Sequence, residues 1–207
     1  MTNNQATDSD ANQWLNLARN GDRDALGRLL EFHRDYLVLL SRRQQYQQQQ
    51  VAFGASDVVQ ETFLRAHANF SQFRGTTQRE FAAWLRQILA RSIVTLARQQ
   101  LGIRRKNNLR ERQLSELLDQ SSQAIGDLVI APDASPSSMA SRNEQAVLFA
   151  KAIQELPEQY REVICLRHLQ GLPFVEVASQ MNRSVDSVEK LWIRALCQLR
   201  STLQKYS

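Results

Sequence analysis

The sequence predicts an all-α protein: two small helical domains joined by a flexible linker, the C-terminal one containing a helix-turn-helix. Apolar residues recur at i, i+3 or i+4, and i+7 along most of the 207 residues, the spacing of one face of a helix. Seven glycines and four prolines are too few for the many turns of a β-rich chain. The periodicity weakens over residues 103–141, where Ala131-Pro132-Asp133-Ala134-Ser135-Pro136-Ser137-Ser138 has linker composition. The expected division is therefore 1–102, a linker over 103–141, and 142–207.

Taken in order, Trp14, Leu17 and Ala18 form a first stripe that Gly21 stops. Asp22 caps a second helix, with Asp24 near its positive end and Ala25, Leu26, Leu29, Leu30, Tyr36, Leu37 and Leu40 on its apolar side. The polar run Gln44–Gln50 reads as a frayed helix end or loop. Ser56 opens a third helix whose Val59, Phe63, Ala66 and Phe70 make one buried stripe. Asp57, Gln60, Glu61 and Leu64 fall on its opposite side, an acidic and amide face with an exposed leucine. After a short loop holding Phe73 and Gly75, Thr77 and Glu80 have capping-box spacing. The fourth helix sends Phe81, Trp84, Leu85, Ile88 and Leu96 to the core and ends at Gly102.

Between the domains, Leu109, Leu114, Leu117 and Leu118 suit a short amphipathic helix. Beyond the linker, Ala146, Val147, Ala150 and Ile153 share a stripe, and Pro157 suits the first turn of the next helix. That helix carries Tyr160, Val163, Ile164 and Leu169 and closes at Gly171. A brief helix with Phe174, Val177, Ala178 and Met181 follows. Ser184 then caps a longer one, whose core side is Val188, Trp192, Ala195 and Leu199.

Charge and composition narrow the function classes. The formal charge of +5 is mild, but from Arg79 to Lys106 seven cations face a single acid, Glu80. Cys165 and Cys197 have no metal-ligand or redox spacing and read as buried reduced thiols, which fits a cytoplasmic compartment. The first twelve residues are polar and acidic, unlike a signal peptide, and no apolar run approaches the roughly 20 residues of a membrane span. His33, His67 and His168 are far apart, and no nucleophile, phosphate-binding or metal motif surrounds them. They read as surface or partly buried histidines. No catalytic residue, cofactor or metal is expected, so the chain is not read as an enzyme.

The short helix, the turn Met181-Asn182-Arg183 and the capped longer helix make a helix-turn-helix. Its second helix must bury one side and offer the other to a major groove. Opposite Val188 and Ala195 lie Asp186, Lys190 and Arg194, with Ser187 and Ile193 at the margins. An ordinary helical hairpin with a solvated charged face fits this pattern equally well.

Two longer stretches resemble one family. Leu156-Pro157-Glu158-Gln159-Tyr160-Arg161-Glu162-Val163, then Leu166-Arg167-His168-Leu169-Gln170-Gly171-Leu172, resembles the start of the promoter-binding C-terminal domain of bacterial sigma factors. Asp57-Val58-Val59-Gln60-Glu61-Thr62-Phe63-Leu64-Arg65-Ala66 resembles the family's helix that binds core RNA polymerase. Phe81-Ala82-Ala83-Trp84-Leu85-Arg86-Gln87-Ile88-Leu89 resembles the adjoining helix that reads the minus-ten element. Having these two domains alone is similar to the extracytoplasmic-function (ECF) class.

The resemblance implies roles. Asp57, Gln60, Glu61 and Leu64 would meet the β′ clamp helices of the polymerase, and the C-terminal domain the β flap. Phe73, Arg79, Gln87, Arg91 and Arg98 would bind the opened minus-ten strand, where cations serve phosphates and an aromatic ring serves an unstacked base. For Phe73, stacking on a base and packing in the core stay open; Trp84 reads as core. Ser184, Asp186, Ser187, Lys190 and Arg194 would meet the duplex minus-thirty-five element. An anti-sigma protein is a further partner that the resemblance leaves open. Two positions depart from the family: Asp186 stands where a small residue is common, and Glu189 where a basic one is. Acids there either accept from cytosine amino groups or face solvent, so the bases read stay open. A helix-turn-helix regulator acting without polymerase core is the competing reading. It explains the C-terminal third and leaves the Asp57–Ala66 helix and the basic stretch unused.

Overall fold

The computed structural model describes residues 8–48, 54–101, 108–127 and 142–205, and no strand occurs among them. The helices are α1 (Asp8–Arg19), α2 (Arg23–Phe32), α3 (Arg34–Gln48), α4 (Ala55–Asn69), α5 (Gln78–Leu101), α6 (Asn108–Asp127), α7 (Arg142–Gln154), α8 (Glu158–Ile164), α9 (Phe174–Gln180) and α10 (Val185–Leu203). A 3₁₀ turn follows α4 at Phe70–Gln72, and a π turn extends α8 over Cys165–Leu169.

Local chemistry sets most boundaries. Gly21 takes φ +97°, the left-handed conformation that ends α1, and the Asp22 carboxylate accepts from the Ala25 N–H to start α2. The first stripe is rotated from expectation: Ala11, Leu15 and Ala18 are buried, while Leu17 faces outward. The single helix expected over residues 22–40 is broken at His33 into α2 and α3. His33 is wholly buried, not near the surface, and its Nδ1 lies 2.9 Å from the Leu29 carbonyl. Burial pulls its pKa down from 6.5 to about 4. The Gln44–Gln50 run is helical through Gln48; residues 49–53 lie outside the described residues. Gly102, the linker stretch Ala131–Ser138 and the side chains of Leu109 and Leu169 lie outside them too.

One core runs through the molecule. Its aromatic centre joins Trp14, Phe32, His33, Phe70, Phe73, Phe81 and Trp84 through edge-on and tilted ring contacts. Gly75 makes room for it, since a Cβ there would sit 2.4 Å from the Phe73 ring.

Within residues 103–141 the sequence suggests a short helix, and the structure has a 20-residue one. Leu114 and Leu118 of α6 are buried, and α6 packs against α5 and α7. A buried polar network ties it down. Arg86 of α5 donates to Asp119 and to the Tyr36 hydroxyl, and Tyr36 donates to Ser122 at 2.7 Å. Arg86 therefore does not belong to the exposed cations of the basic stretch. Helix α7 packs on α3, α5 and α6 and also touches α10. Its Ala146, Val147, Phe149, Ala150, Ala152 and Ile153 are all buried, and its Lys151 ammonium sits 3.4 Å above the Phe32 ring.

Candidate polymerase-binding and DNA-binding surfaces

Helix α4 turns Val58, Val59, Thr62 and Ala66 inward. Phe63 and Phe70 are half-buried, not fully buried as the stripe suggests, and the Arg34 guanidinium lies 5.1 Å from the Phe63 ring centre. On the outward side, Asp57 and Gln60 are exposed, Glu61 is half-exposed and Leu64 is 70% exposed. Asp57 also has a local job that the sequence does not announce. Its carboxylate accepts from the Gly54 N–H at 3.0 Å, closing the helix start one residue before the expected Ser56. Glu61 pairs with Arg65 one turn on.

The second surface is the 73–77 loop and the outward side of α5. Glu80 accepts from the Thr76 and Thr77 N–H groups and from the Thr77 hydroxyl, and these bonds hold its carboxyl below the usual range. The capping box is thus present, and the loop is anchored to the helix start. Arg79, Gln87 and Arg91 are exposed along α5. Arg98 is not free: it faces Glu111 of α6 at 3.8 Å. Phe73 is half-buried and packs on Phe70, Phe81 and Trp84. Trp84 is half-buried in the same cluster, as its core reading requires. Arg74, which the sequence reading does not single out, is exposed in the loop. No periodic pattern marks a loop cation, so only the fold finds it.

The third surface is the helix-turn-helix. Asn182 takes φ +52°, a conformation asparagine tolerates, and the Arg183 N–H reaches back to the Ala178 carbonyl at 2.9 Å to close α9. The Ser184 hydroxyl then caps α10 by accepting from the Ser187 N–H. Val188, Leu191, Ala195, Leu199 and Thr202 are buried, and Trp192, expected in this stripe, is half-buried. The Trp192 indole N–H donates to His168 Nε2 at 3.0 Å and the two rings stack, so His168 is neutral here with its proton on Nδ1. Burial and then the nearby Arg167 lower the His168 pKa. The π turn that carries His168 is closed by the Gln170 N–H on the Cys165 carbonyl. No sequence pattern pairs His168 with Trp192, because the contact spans α8 and α10.

Asp186, Lys190 and Arg194 are exposed and Ser187 is half-exposed. Lys190 donates to Asp186 at 2.8 Å, an i,i+4 pair visible in the sequence spacing. Cys197 is exposed, against the expectation of two buried thiols. Cys165 is half-buried, and burial pushes its thiol pKa up to about 11. Among the described residues, no group of His, Cys, Asp and Glu is placed to hold a metal, and no helix is long and apolar enough to cross a membrane.

The structure thus presents a helix-turn-helix with exposed Asp186, Glu189, Lys190 and Arg194, preceded by a helical region with a separate outward face of Asp57, Gln60, Glu61 and Leu64. The family follows from comparison with known proteins. The chain belongs to the ECF sigma factors, whose family model matches residues 8–205. It is 27% identical over 188 residues to the ECF RNA polymerase sigma factor SigW of Bacillus subtilis, covering 90% of this chain and 92% of that one. It is 30% identical over 197 residues to the ECF RNA polymerase sigma factor BldN of Streptomyces coelicolor, covering 92% and 66%. A solved structure of CnrH in complex with the cytosolic domain of CnrY matches at 24% identity and a TM-score of 0.34, covering 96% and 99%. The chain is thus a sigma factor that binds RNA polymerase core and directs promoter-specific initiation. A regulator acting without core is not favoured by these matches.

Proposed function

We propose that this sigma factor divides its work among three surfaces. The outward row Asp57, Gln60, Glu61 and Leu64 of α4 binds the polymerase. The 73–77 loop with Arg79, Gln87 and Arg91 binds the opened minus-ten strand. Ser184, Asp186, Ser187, Lys190 and Arg194 bind the duplex minus-thirty-five element. Arg98 joins the second set once its loose pair with Glu111 opens. Residues 1–102 and 142–207 are the two working units, 103–141 joins them, and the protein acts in the cytoplasm without catalysing a reaction itself. The observation that carries this reading is Leu64. A leucine 70% exposed beside two exposed polar residues, on a helix that buries Val58, Val59, Thr62 and Ala66 on its other side, offers a partner both apolar area and hydrogen bonds.

The test mixes the purified chain with polymerase core and follows co-migration and run-off transcription. Replacing Asp57, Gln60, Glu61 and Leu64 with Ala weakens co-migration while binding of the isolated chain to polyanions, which gains from the loss of two carboxylates, is not weakened. Undiminished co-migration would remove α4 from the interface.

A further inference from the structure

We infer that Ile193 is a specificity-determining residue that reads the C5-methyl group of one thymine in the upstream promoter element. This rests on α10 being the recognition helix and deepens that reading. The buried line of α10 runs through Val188, Leu191, Ala195 and Leu199. At 3.6 residues per turn, the line facing directly away from it runs through Asp186, Lys190 and Ile193, spaced i, i+4 and i+7. The sequence places Ile193 at the margin of the outward face, but the buried residues place it at the centre. Arg194, about 100° further round, lies toward the flank.

Ile193 is 55% exposed. Single exposed apolar residues are ordinary on protein surfaces, so exposure alone assigns nothing. Position does. The other large apolar residues exposed on the helix-turn-helix are Val175 at the start of α9 and Val185 at the first position of α10. Ile193 instead lies on that central line, with the exposed cations Lys190 and Arg194, which suit phosphates, to one side of Ile193 and the exposed Glu189 to the other. A helix seated in a major groove points its central line at the base edges and its flanks at the two backbones. On that central line Asp186 and Lys190 are polar, and they meet phosphates or polar base edges when their 2.8 Å pair opens. Ile193 carries no polar atom and matches one feature of the groove floor, the thymine methyl, the only apolar group that the four base pairs present there.

The test uses holoenzyme reconstituted from the full chain and polymerase core. Duplexes with a randomised upstream element are selected for binding. Each thymine of the winning element is then replaced in turn by deoxyuridine, which removes the methyl group and leaves the pairing edge intact. With the unaltered protein, one replacement weakens binding about three- to fivefold, the value of one buried methyl. Ile193→Ala abolishes that sensitivity and leaves the preferences at other positions in place; Ile193→Val keeps part of it. Thermal melting confirms that both variants fold.

A winning element without thymine, no sensitive position, or equal sensitivity in Ile193→Ala would overturn the inference. So would weaker assembly of Ile193→Ala with core in the absence of DNA, which would assign the residue to the polymerase instead. If no upstream sequence is preferred at all, the recognition-helix reading fails, and this inference with it.

Discussion

Helices α4 and α10 each bury one side, Val58, Val59, Thr62 and Ala66 in the first and Val188, Leu191, Ala195 and Leu199 in the second. Each also pairs a carboxylate with a cation one turn away, but the pairs sit differently. In α4, Glu61 and Arg65 are 31% and 33% exposed; in α10, Asp186 and Lys190 are 74% and 63% exposed. A well-solvated pair is worth a few tenths of a kcal/mol and opens readily. A partly desolvated one is screened less and keeps its geometry. The α4 face is therefore a preset surface suited to a protein partner of fixed shape. The α10 face can trade Asp186 for a phosphate or base edge as Lys190 swings away. The same sequence spacing serves a rigid contact in one place and an adjustable one in the other.

The comparison depends on each helix keeping its buried side, so core variants break it most severely. Phe81 is wholly buried at the centre of the aromatic cluster, and Phe81→Ala lowers stability by about 3–5 kcal/mol in urea unfolding. Phe63→Ala costs less, about 1–3 kcal/mol, since that ring keeps solvent on one side.

The buried His33 makes the N-terminal core pH-sensitive. Unfolded chain takes up a proton near pH 6.5, whereas the folded protein resists protonation until about pH 4. Unfolded molecules therefore bind more protons across that window, and stability falls as the pH drops through it. The loss reaches about 3 kcal/mol by pH 4. Urea midpoints measured from pH 7 to pH 4 show the slope, and His33→Gln flattens it.

Smaller changes sharpen the contrast between neighbouring residues on α4. Asp57→Ala removes the bond to the Gly54 N–H and costs about 1 kcal/mol of stability. Gln60→Ala, on the same exposed face with no such bond, stays within about 0.5 kcal/mol. Both weaken polymerase binding. Comparing their melting curves separates loss of contact from loss of fold, and equal melting shifts would deny Asp57 its capping role.

The helices themselves were legible because their signals are local. Gly21, Asp22, Thr77 with Glu80, Asn182 and Ser184 mark starts and stops with their own side chains or backbone freedom. The exposed Asp57, Gln60 and Leu64 and the half-exposed Glu61 of the proposed polymerase face could be placed from spacing against the stripe Val59, Phe63, Ala66 and Phe70. What spacing could not show is which helix lies against which. Arg86 reads as one more cation in a basic stretch, yet burial against Tyr36 and Asp119 takes it out of solvent. Arg98 loses its freedom to Glu111 for the same reason. Leu17 and Ile193 were placed wrongly or at a margin because each stripe was centred from too few residues, and a rotation of some tens of degrees reassigns a side chain. The break at His33 carries neither proline nor glycine. At the break the imidazole is buried between Phe32 and Phe81, a packing that only the assembled core reveals.

The division between the two DNA-binding surfaces is tested most directly by transcription with reconstituted holoenzyme over a salt series. Two templates are compared: a full duplex promoter, and a pre-opened one lacking the upstream element. Arg194→Ala lowers activity on the duplex, with the salt slope of binding reduced by about 1 if it meets a phosphate, and leaves the pre-opened template nearly unaffected. Arg91→Ala impairs both, and Arg98→Ala impairs both less, because Arg98 must first leave Glu111. Equal loss on both templates for Arg194→Ala would contradict the assignment of α10 to the upstream duplex.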